Sequence, residues 1–219
     1  SLGVSHLVQL AQEAALTIRP HRVWMTWNLL LAIVPAVLAV GLFAIPHRRG
    51  LLWWLGVGAF AVTLPNAPYV VTDLVHLSDS IARASSNRAV VAVILPLYAG
   101  FILAGYLAYL LCTELVLHEV RTVRPAARRW VVEGSLHVLC TVGILVGRIA
   151  RLNSWDTITD PTNTAEQVFQ TLTWRWAPIA FVLVLVAVWI THLVVRTLVL
   201  AVTTAGRDAW RNLQPAVAA

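Results

Sequence analysis

Two short segments carry most of the polar side chains that could support chemistry. The first, LPNAPYVVTDLVHL at residues 64–77, places Asp73 and His76 three residues apart. A carboxylate can orient an imidazole, so this pair suits general acid and base catalysis. Aspartate and histidine also bind zinc, but two ligands do not complete a metal site. The alternative is that Thr72 or Asp73 caps a short helix while His76 faces lipid headgroups.

The second segment, GRIARLNSWD at residues 147–156, places Arg148 and Arg151 three residues apart. Side chains at that spacing share one face of a helix. Two guanidinium groups repel each other unless an anion lies between them, and that anion would be an aspartate or the phosphate or carboxylate of a ligand. Asn153 and Asp156 would then complete an anion- or substrate-binding site. The alternative is that both arginines extend to lipid headgroups.

The two prolines of the first segment, Pro65 and Pro68, predict that a helix ends there. Proline removes a backbone donor and leaves carbonyl groups without their helical partners. Irregular backbone at membrane depth is tolerated only inside protein or beside a water-filled cavity. We therefore expect a polar pocket, with Asn66 bonding the freed backbone and Tyr69 forming a wall.

A third cluster consists of two glutamate–histidine pairs with four-residue spacing, Glu114 with His118 and Glu133 with His137. The pairs flank one turn, and four such ligands could hold a divalent metal ion. The alternatives are local pairs within each helix, or glutamates bound to the neighbouring arginines. The metal ion is the weaker interpretation, and the cofactor remains unknown.

Composition defines the class of protein. The 219 residues are 59% hydrophobic and 12% charged, with a mean hydropathy of +0.76, which is too apolar for a soluble domain of this size. All 16 basic residues are arginine. In a membrane protein such residues mark cytoplasmic loops and lipid headgroup contacts, so the expected partner is membrane lipid and not nucleic acid. Cys112 and Cys140 lie in apolar segments and form no ligand or disulfide pattern.

The pattern predicts an all-α fold, a polytopic transmembrane helical bundle with short interfacial amphipathic helices over residues 72–88 and 163–176. About 20 apolar residues cross the hydrocarbon core. Five stretches qualify, at 23–45, 51–71, 89–112, 130–147 and 177–195. We predict an amphipathic segment at 1–22, a membrane domain at 23–200 and a tail at 201–219. Gly100, Ala104 and Ala108, at four-residue spacing, predict close helix packing.

The order of the spans places the segments 64–77 and 147–156 on the same face of the membrane. They follow the second and fourth spans, and even-numbered spans end on the same face of the membrane. Arginines are dense in the connection at 46–50 and in RTVRPAARR at 121–129, on the other face. The excess of arginine there predicts a cytoplasmic location, with the N-terminus outside and the C-terminus inside.

The segments LPNAPYVVTDLVHL and GRIARLNSWD resemble the signatures of a bacterial family of multi-spanning membrane proteins, domain-of-unknown-function family 1361. The resemblance covers residues 25–195. It implies an integral membrane protein, for which we expect the bacterial inner membrane as the location. It also points to 65–77 and 147–156 as the functional surface. By matching position the signature includes Pro65, Asn66, Ala67, Pro68, Tyr69, Thr72, Asp73, His76, Gly147, Arg148, Arg151, Asn153, Ser154, Trp155 and Asp156. The resemblance transfers no activity.

Three hypotheses of function follow. The first is an anion-binding pocket at one membrane face for a lipid headgroup or a lipid-linked phosphate, with Arg148 and Arg151 as the clamp and Asp73 and His76 as acid and base. The second is a non-enzymatic subunit or stability factor in which Arg–Asp contacts are structural. The third is a small transporter, which the mostly apolar middle of the spans disfavours. Whether the protein is an enzyme, and its oligomeric state, stay open.

Overall fold

The computed structural model describes residues 22–45, 48–84, 86–149 and 159–217, and this part of the chain is helical with no strand. The expected all-α class is confirmed. The helices, in chain order, are α1 (Arg22–Ala39), α2 (Leu51–Thr63), α3 (Asn66–Tyr69), α4 (Leu77–Ala82), α5 (Asn87–Ala89), α6 (Leu95–Val123), α7 (Arg129–Ile149), α8 (Pro161–Thr173) and α9 (Ala177–Val217). Short π-helical segments extend α1 (Val40–Ala44) and precede α6 (Val90–Ile94), and a 3₁₀ helix (Val70–His76) joins α3 to α4.

Within the described residues, five helical stretches are long and apolar enough to cross a membrane, as the sequence predicted. They are Val23–Ala44, Leu51–Ala82, Asn87–Val123, Arg129–Arg148 and Ala177–Asp208. Much of their apolar surface points outward, with Leu52 84% and Val23 74% exposed. A helix that is hydrophobic on every side needs an apolar surrounding, and lipid provides it. The protein is therefore a multi-pass integral membrane protein.

The five spans define two faces. One, here called the arginine face, carries Arg48, Arg49 and the turn between α6 and α7. The other, here called the aspartate face, carries the 3₁₀ helix with Asp73, the end of α7 and helix α8. Arg49 joins two connections of the arginine face, because its Nη2 donates to Glu119 at 2.7 Å and to Thr122 at 3.2 Å.

Helix α6 lies in the centre of the bundle and buries Tyr98, Tyr106 and Tyr109. Its close contact with the proline segment depends on Gly105, where a Cβ would lie 2.6 Å from Val70 Cγ2 and 2.8 Å from the Ala67 carbonyl oxygen. The sequence indicated a different glycine for such packing. Gly100 has no atom within 4 Å of its Cβ position, so it makes no close helix contact.

Helices α4 and α8 occupy the regions where interfacial helices were expected, but the cap of α4 differs from the prediction. Neither Thr72 nor Asp73 caps α4, which is preceded by His76 without a side-chain cap. Thr72 Oγ1 instead donates to the Tyr69 carbonyl at 2.7 Å. Asp160 caps α8 by accepting from the Asn163 backbone. The amphipathic segment expected at 1–22 lies outside the described residues, apart from Arg22 at the start of α1.

Candidate functional site at the aspartate face

The structure brings Asp73 of the second span and Arg148 of the fourth span together. Arg148 Nη2 donates to Asp73 Oδ1 at 2.7 Å, the distance of a charge-assisted hydrogen bond. Asp73 is 2% exposed, whereas the Arg148 side chain is 31% exposed. A buried carboxylate therefore holds a guanidinium that still reaches the surface of the bundle.

Two further contacts fix the orientation of the guanidinium. Arg148 Nε donates to Thr72 Oγ1 at 2.9 Å. The Cζ atom lies over the Tyr69 ring, 4.8 Å from its centroid, where an arginine is attracted to the face of the ring. Arg148 Nη1 has no hydrogen-bond partner among the described residues.

Asn28 of the first span completes the coordination of the carboxylate. Its Nδ2 donates to Asp73 Oδ2 at 2.9 Å, so each carboxylate oxygen accepts one hydrogen bond. Buried charges are tolerated when they are paired and hydrogen-bonded. Asp73 thus joins the first, second and fourth spans in one polar contact.

The local backbone explains why these side chains converge. Pro65 has no donor, and α2 ends beside it. Ala67 N donates back to the Leu64 carbonyl at 3.1 Å, and Tyr69 N to the Pro65 carbonyl at 3.1 Å, so the proline break keeps most of its hydrogen bonds. The following 3₁₀ helix has three residues per turn, which places Val70 and Asp73 on one buried side.

The position of the site along the helices indicates the edge of the membrane. Asp73 follows Leu51 by 22 residues, and Arg148 follows Arg129 by 19. At a rise of about 1.5 Å per residue, both residues lie roughly 30 Å along their helices from the arginine face. This distance is the thickness of the hydrocarbon core. The two groups meet close to the opposite boundary of the hydrocarbon.

The exposed His76 ring lies against Trp24, with ring centroids 5.6 Å apart. The Asp73 carboxylate makes its hydrogen bonds with Asn28 and Arg148. The acid–base role expected for Asp73 and His76 stays a prediction. Asn66 lies half-buried in α3. Arg151, Asn153 and Asp156 lie outside the described residues.

The glutamates of the third cluster bind an arginine at the arginine face. Arg129 donates through Nη1 to Glu114 Oε1, through Nη2 to Glu114 Oε2 at 2.9 Å, and through Nη1 to Glu133 Oε1 at 3.0 Å. Arg196 Nη1 lies 3.8 Å from the same Glu133 oxygen. This arrangement is the alternative in which the adjacent arginines, and not a metal ion, hold the glutamates.

The two histidines of that cluster lie in different environments. His118 is exposed, whereas His137 is buried and lies 2.7 Å from the Tyr109 hydroxyl. Within the described residues, no three histidine, cysteine, aspartate or glutamate side chains are gathered in a way that could hold a metal ion. The four residues proposed as ligands from their spacing therefore do not surround one point.

The contacts of two residues, Asn28 and His192, were missed from the sequence. Asn28 and His192 each stand alone in an apolar span, in TWNLLL and WITHLVV. A lone polar or ionisable residue in such a span is a signal of an internal contact, because it is costly in lipid. The sequence therefore indicates that Asn28 and His192 make internal contacts, but it does not identify the residues that they contact.

Comparison with known proteins identifies the family of the chain. Residues 27–193 match the family described as "Protein of unknown function (DUF1361)". The match covers more than half of the 219 residues and includes Asn28, Asp73 and Arg148, so the chain belongs to this family. Searches of the curated proteins and of the solved structures found no match.

Proposed function

We propose that the protein binds the phosphate of an anionic lipid headgroup, or of a lipid-linked phosphate, at Arg148 on the aspartate face. The observation that carries this proposal is that the Arg148 guanidinium is held in place by neighbouring residues but is only partly hydrogen-bonded. Asp73, Thr72 and Tyr69 fix its position, while Nη1 has no partner in the described part of the chain and the side chain is 31% exposed.

The chemistry of the guanidinium supports a phosphate ligand. Arginine has five N–H donors in a planar fork, and two nitrogens already bind Asp73 and Thr72. The remaining donors suit two oxygens of a phosphate, and an arginine whose rotamer is already fixed loses less entropy on binding. The site also lies near the membrane boundary, where the phosphates of lipid headgroups are found.

In this proposal Asp73 positions Arg148 and does not act as an acid or base, because both of its oxygens accept hydrogen bonds. The Asp73–Arg148 pair is neutral overall. Affinity for an anion then requires a further positive charge, and Arg151 follows closely in the sequence. We propose that Arg151 supplies this charge, and that Asn153 and Asp156 border the same site.

The test compares the phospholipid that co-purifies with the wild type and with Arg148→Gln, by native mass spectrometry. Arg175→Gln is the matched control, since Arg175 is an exposed arginine on the same face and stacks on Trp176 at 4.7 Å. We expect Arg148→Gln to lose bound anionic lipid and Arg175→Gln to retain it. Equal loss in both variants would contradict a site at Arg148.

A second candidate function is a non-enzymatic membrane subunit, in which the pair serves only to hold the helices together. The link from Asn28 through Asp73 to Arg148 across three spans favours it. Asp73→Asn separates the candidates. Removing the competing carboxylate should strengthen anion binding if Arg148 is a ligand-binding residue, whereas a purely structural pair predicts lower stability with no gain in bound lipid.

The exchanged variant, Asp73→Arg with Arg148→Asp, gives a second comparison. A structural ion pair should regain much of its stability when both charges are exchanged. An anion site should lose its ligand, because the guanidinium then lies on the buried side of the pair. Recovery of both stability and bound lipid in the exchanged variant would favour the structural role.

A further inference from the structure

A separate polar cluster lies inside the bundle and takes no part in the Asp73–Arg148 site. It consists of Tyr109 of α6, His137 of α7 and His192 of α9. Tyr109 is fully buried, and each histidine is 3% exposed. His137 follows Arg129 by eight residues, which is about 12 Å along the helix from the arginine face, within the apolar depth of the membrane.

The hydrogen bonds within this cluster are incomplete. The Tyr109 hydroxyl lies 2.7 Å from His137 Nδ1. His137 Nε2 and both ring nitrogens of His192 are buried and have no hydrogen-bond partner among the described residues. A neutral imidazole carries one N–H donor and one acceptor, so His192 has both a buried donor and a buried acceptor to satisfy. Buried polar atoms in native proteins almost always have partners.

The two rings are close enough to share one small partner. The centroids of His137 and His192 are 4.9 Å apart, and those of Tyr109 and His192 are 5.5 Å apart. His192 Nε2 lies 3.8 Å from Glu133 Oε1, which is too long for a direct hydrogen bond and suits a bridging water.

The charges around the cluster indicate whether a neutral molecule or an ion would bind to the ring nitrogens. Glu114 and Glu133 face Arg129 and Arg196, so the four formal charges cancel. The nearby Cys112, Cys140 and Tyr106 are buried and belong to the same core. A metal ion would add positive charge without a free carboxylate to balance it. A neutral molecule that both donates and accepts hydrogen bonds satisfies the ring nitrogens at no cost in charge.

We propose that His137 and His192 line an internal hydrated site, in which water joins their ring nitrogens to the Glu133 carboxylate. Water enters from the arginine face, because towards the aspartate face α7 and α9 bury Ile144 and Val188 completely. Tyrosine, neutral imidazole and water each donate and accept hydrogen bonds. The series from Tyr109 to Glu133 can therefore pass protons, each member receiving one proton on one atom and releasing another, with no net change in charge.

The test is water-edited solid-state NMR of the protein labelled with ¹⁵N-histidine in phosphatidylcholine bilayers. This method measures how fast magnetisation passes from water to each ring. His118, exposed at the arginine face, is the reference for a wet histidine. The methyl groups of Val188, 0% exposed, are the dry reference in a valine-labelled sample. His137→Gln and His192→Gln assign the signals.

We expect the His137 and His192 rings to receive magnetisation at a rate close to that of His118. Each ring should show one protonated and one bare nitrogen, as a neutral imidazole does. Rates as slow as those of the Val188 methyl groups would overturn the proposal, as would the spectrum of a charged imidazolium.

His192→Phe tests the route, because phenylalanine fills the space of the ring without donors or acceptors. We expect the transfer from water to His137 to slow several-fold in this variant, and His192→Gln to preserve it. An unchanged rate in His192→Phe would refute the connection through His192. The wild-type measurement decides the presence of water even if a variant fails to fold. None of these residues contacts Arg148, so the result is independent of the proposed phosphate site.

Discussion

At the residue scale, the hydrogen bonds of Asp73 favour a positioning role, and its role as an acid or base stays a prediction. Its spacing from His76 indicated acid–base chemistry, yet its two oxygens accept from Asn28 and Arg148, and it is 2% exposed. A carboxylate in this environment stabilises and orients a guanidinium. In the proposed site Arg148 meets the ligand, because its Nη1 has no hydrogen-bond partner among the described residues.

Asn28→Leu tests the support of that carboxylate. The variant keeps the branching and the number of heavy atoms of the side chain but leaves Asp73 Oδ2 without its donor, and we expect a loss of about 1–3 kcal/mol in the free energy of unfolding. Denaturant unfolding in bicelles measures the change. Ser78→Ala, an exposed position just beyond the 3₁₀ helix, should be nearly neutral. An equal effect of the two substitutions would argue against a stabilising role for Asn28.

Arg129→Gln tests the arginine that binds Glu114 and Glu133. Removing it leaves Glu114 and Glu133 without their shared donor, so we expect a loss of stability of about 1–3 kcal/mol. Arg128→Gln changes an exposed arginine next to it and is the control. Thermal unfolding of the wild type and of both variants, with and without added zinc, measures the change in stability. Restoration of Arg129→Gln by zinc to wild-type stability would show that the cluster can also hold a metal ion.

At the element scale, two glycines allow the proline segment to pack against its neighbours. Gly105 of α6 accommodates Val70 and the Ala67 carbonyl, and Gly143 of α7 accommodates the Pro65 ring. The segment that carries Asp73 is therefore held between two helices whose backbones approach it closely. The position of Asp73 relative to Arg148 depends on these contacts.

Gly105→Ala should disturb the site from a distance. The added Cβ would lie 2.6 Å from Val70 Cγ2 and 2.8 Å from backbone, and overpacking of this kind costs about 1–3 kcal/mol. Gly100→Ala adds the same methyl group where no atom lies within 4 Å, and it should be neutral or slightly stabilising. The measurements are the melting temperature and the amount of retained lipid, each compared between Gly105→Ala and Gly100→Ala. Identical behaviour of the two variants would contradict the packing described.

The number and order of the spans followed from hydropathy, because crossing a membrane requires long apolar helices whatever their packing. That Asp73 and Arg148 lie at the same face of the bundle followed from counting spans. Which glycine makes the close contact did not follow, since Gly100 and Gly105 differ only in the direction they face. The contacts of Asp73 with Asn28 and Arg148 likewise did not follow, because they depend on how the first, second and fourth spans pack together.

At the scale of the whole molecule, the two faces differ in chemistry. The arginine face carries exposed Arg48, Arg121, Arg124 and Arg128 around short connections. The aspartate face carries the longer connections and the proposed phosphate site. We expect the arginine face to be cytoplasmic, as the excess of arginine in short loops predicts.

Single cysteines test this orientation in a chain whose native Cys112 and Cys140 are replaced by alanine. Ala126→Cys lies on the arginine face and Ala165→Cys lies on α8, and both positions are exposed. In intact cells a membrane-impermeant thiol reagent should label Ala165→Cys and leave Ala126→Cys unlabelled until the membrane is opened. The opposite pattern would reverse the orientation, while the contact between Asp73 and Arg148 would remain.

The most direct measurement of the central claim is the distance between lipid phosphorus and the Arg148 guanidinium. ¹⁵N–³¹P dipolar dephasing on arginine-labelled protein in anionic bilayers gives it, with Arg148→Lys to assign the signal. We predict dephasing that corresponds to a phosphate hydrogen-bonded to Arg148, and a weaker signal change at Arg129, whose guanidinium is occupied by Glu114 and Glu133. An Arg148 signal that phosphorus does not dephase would contradict the proposed site.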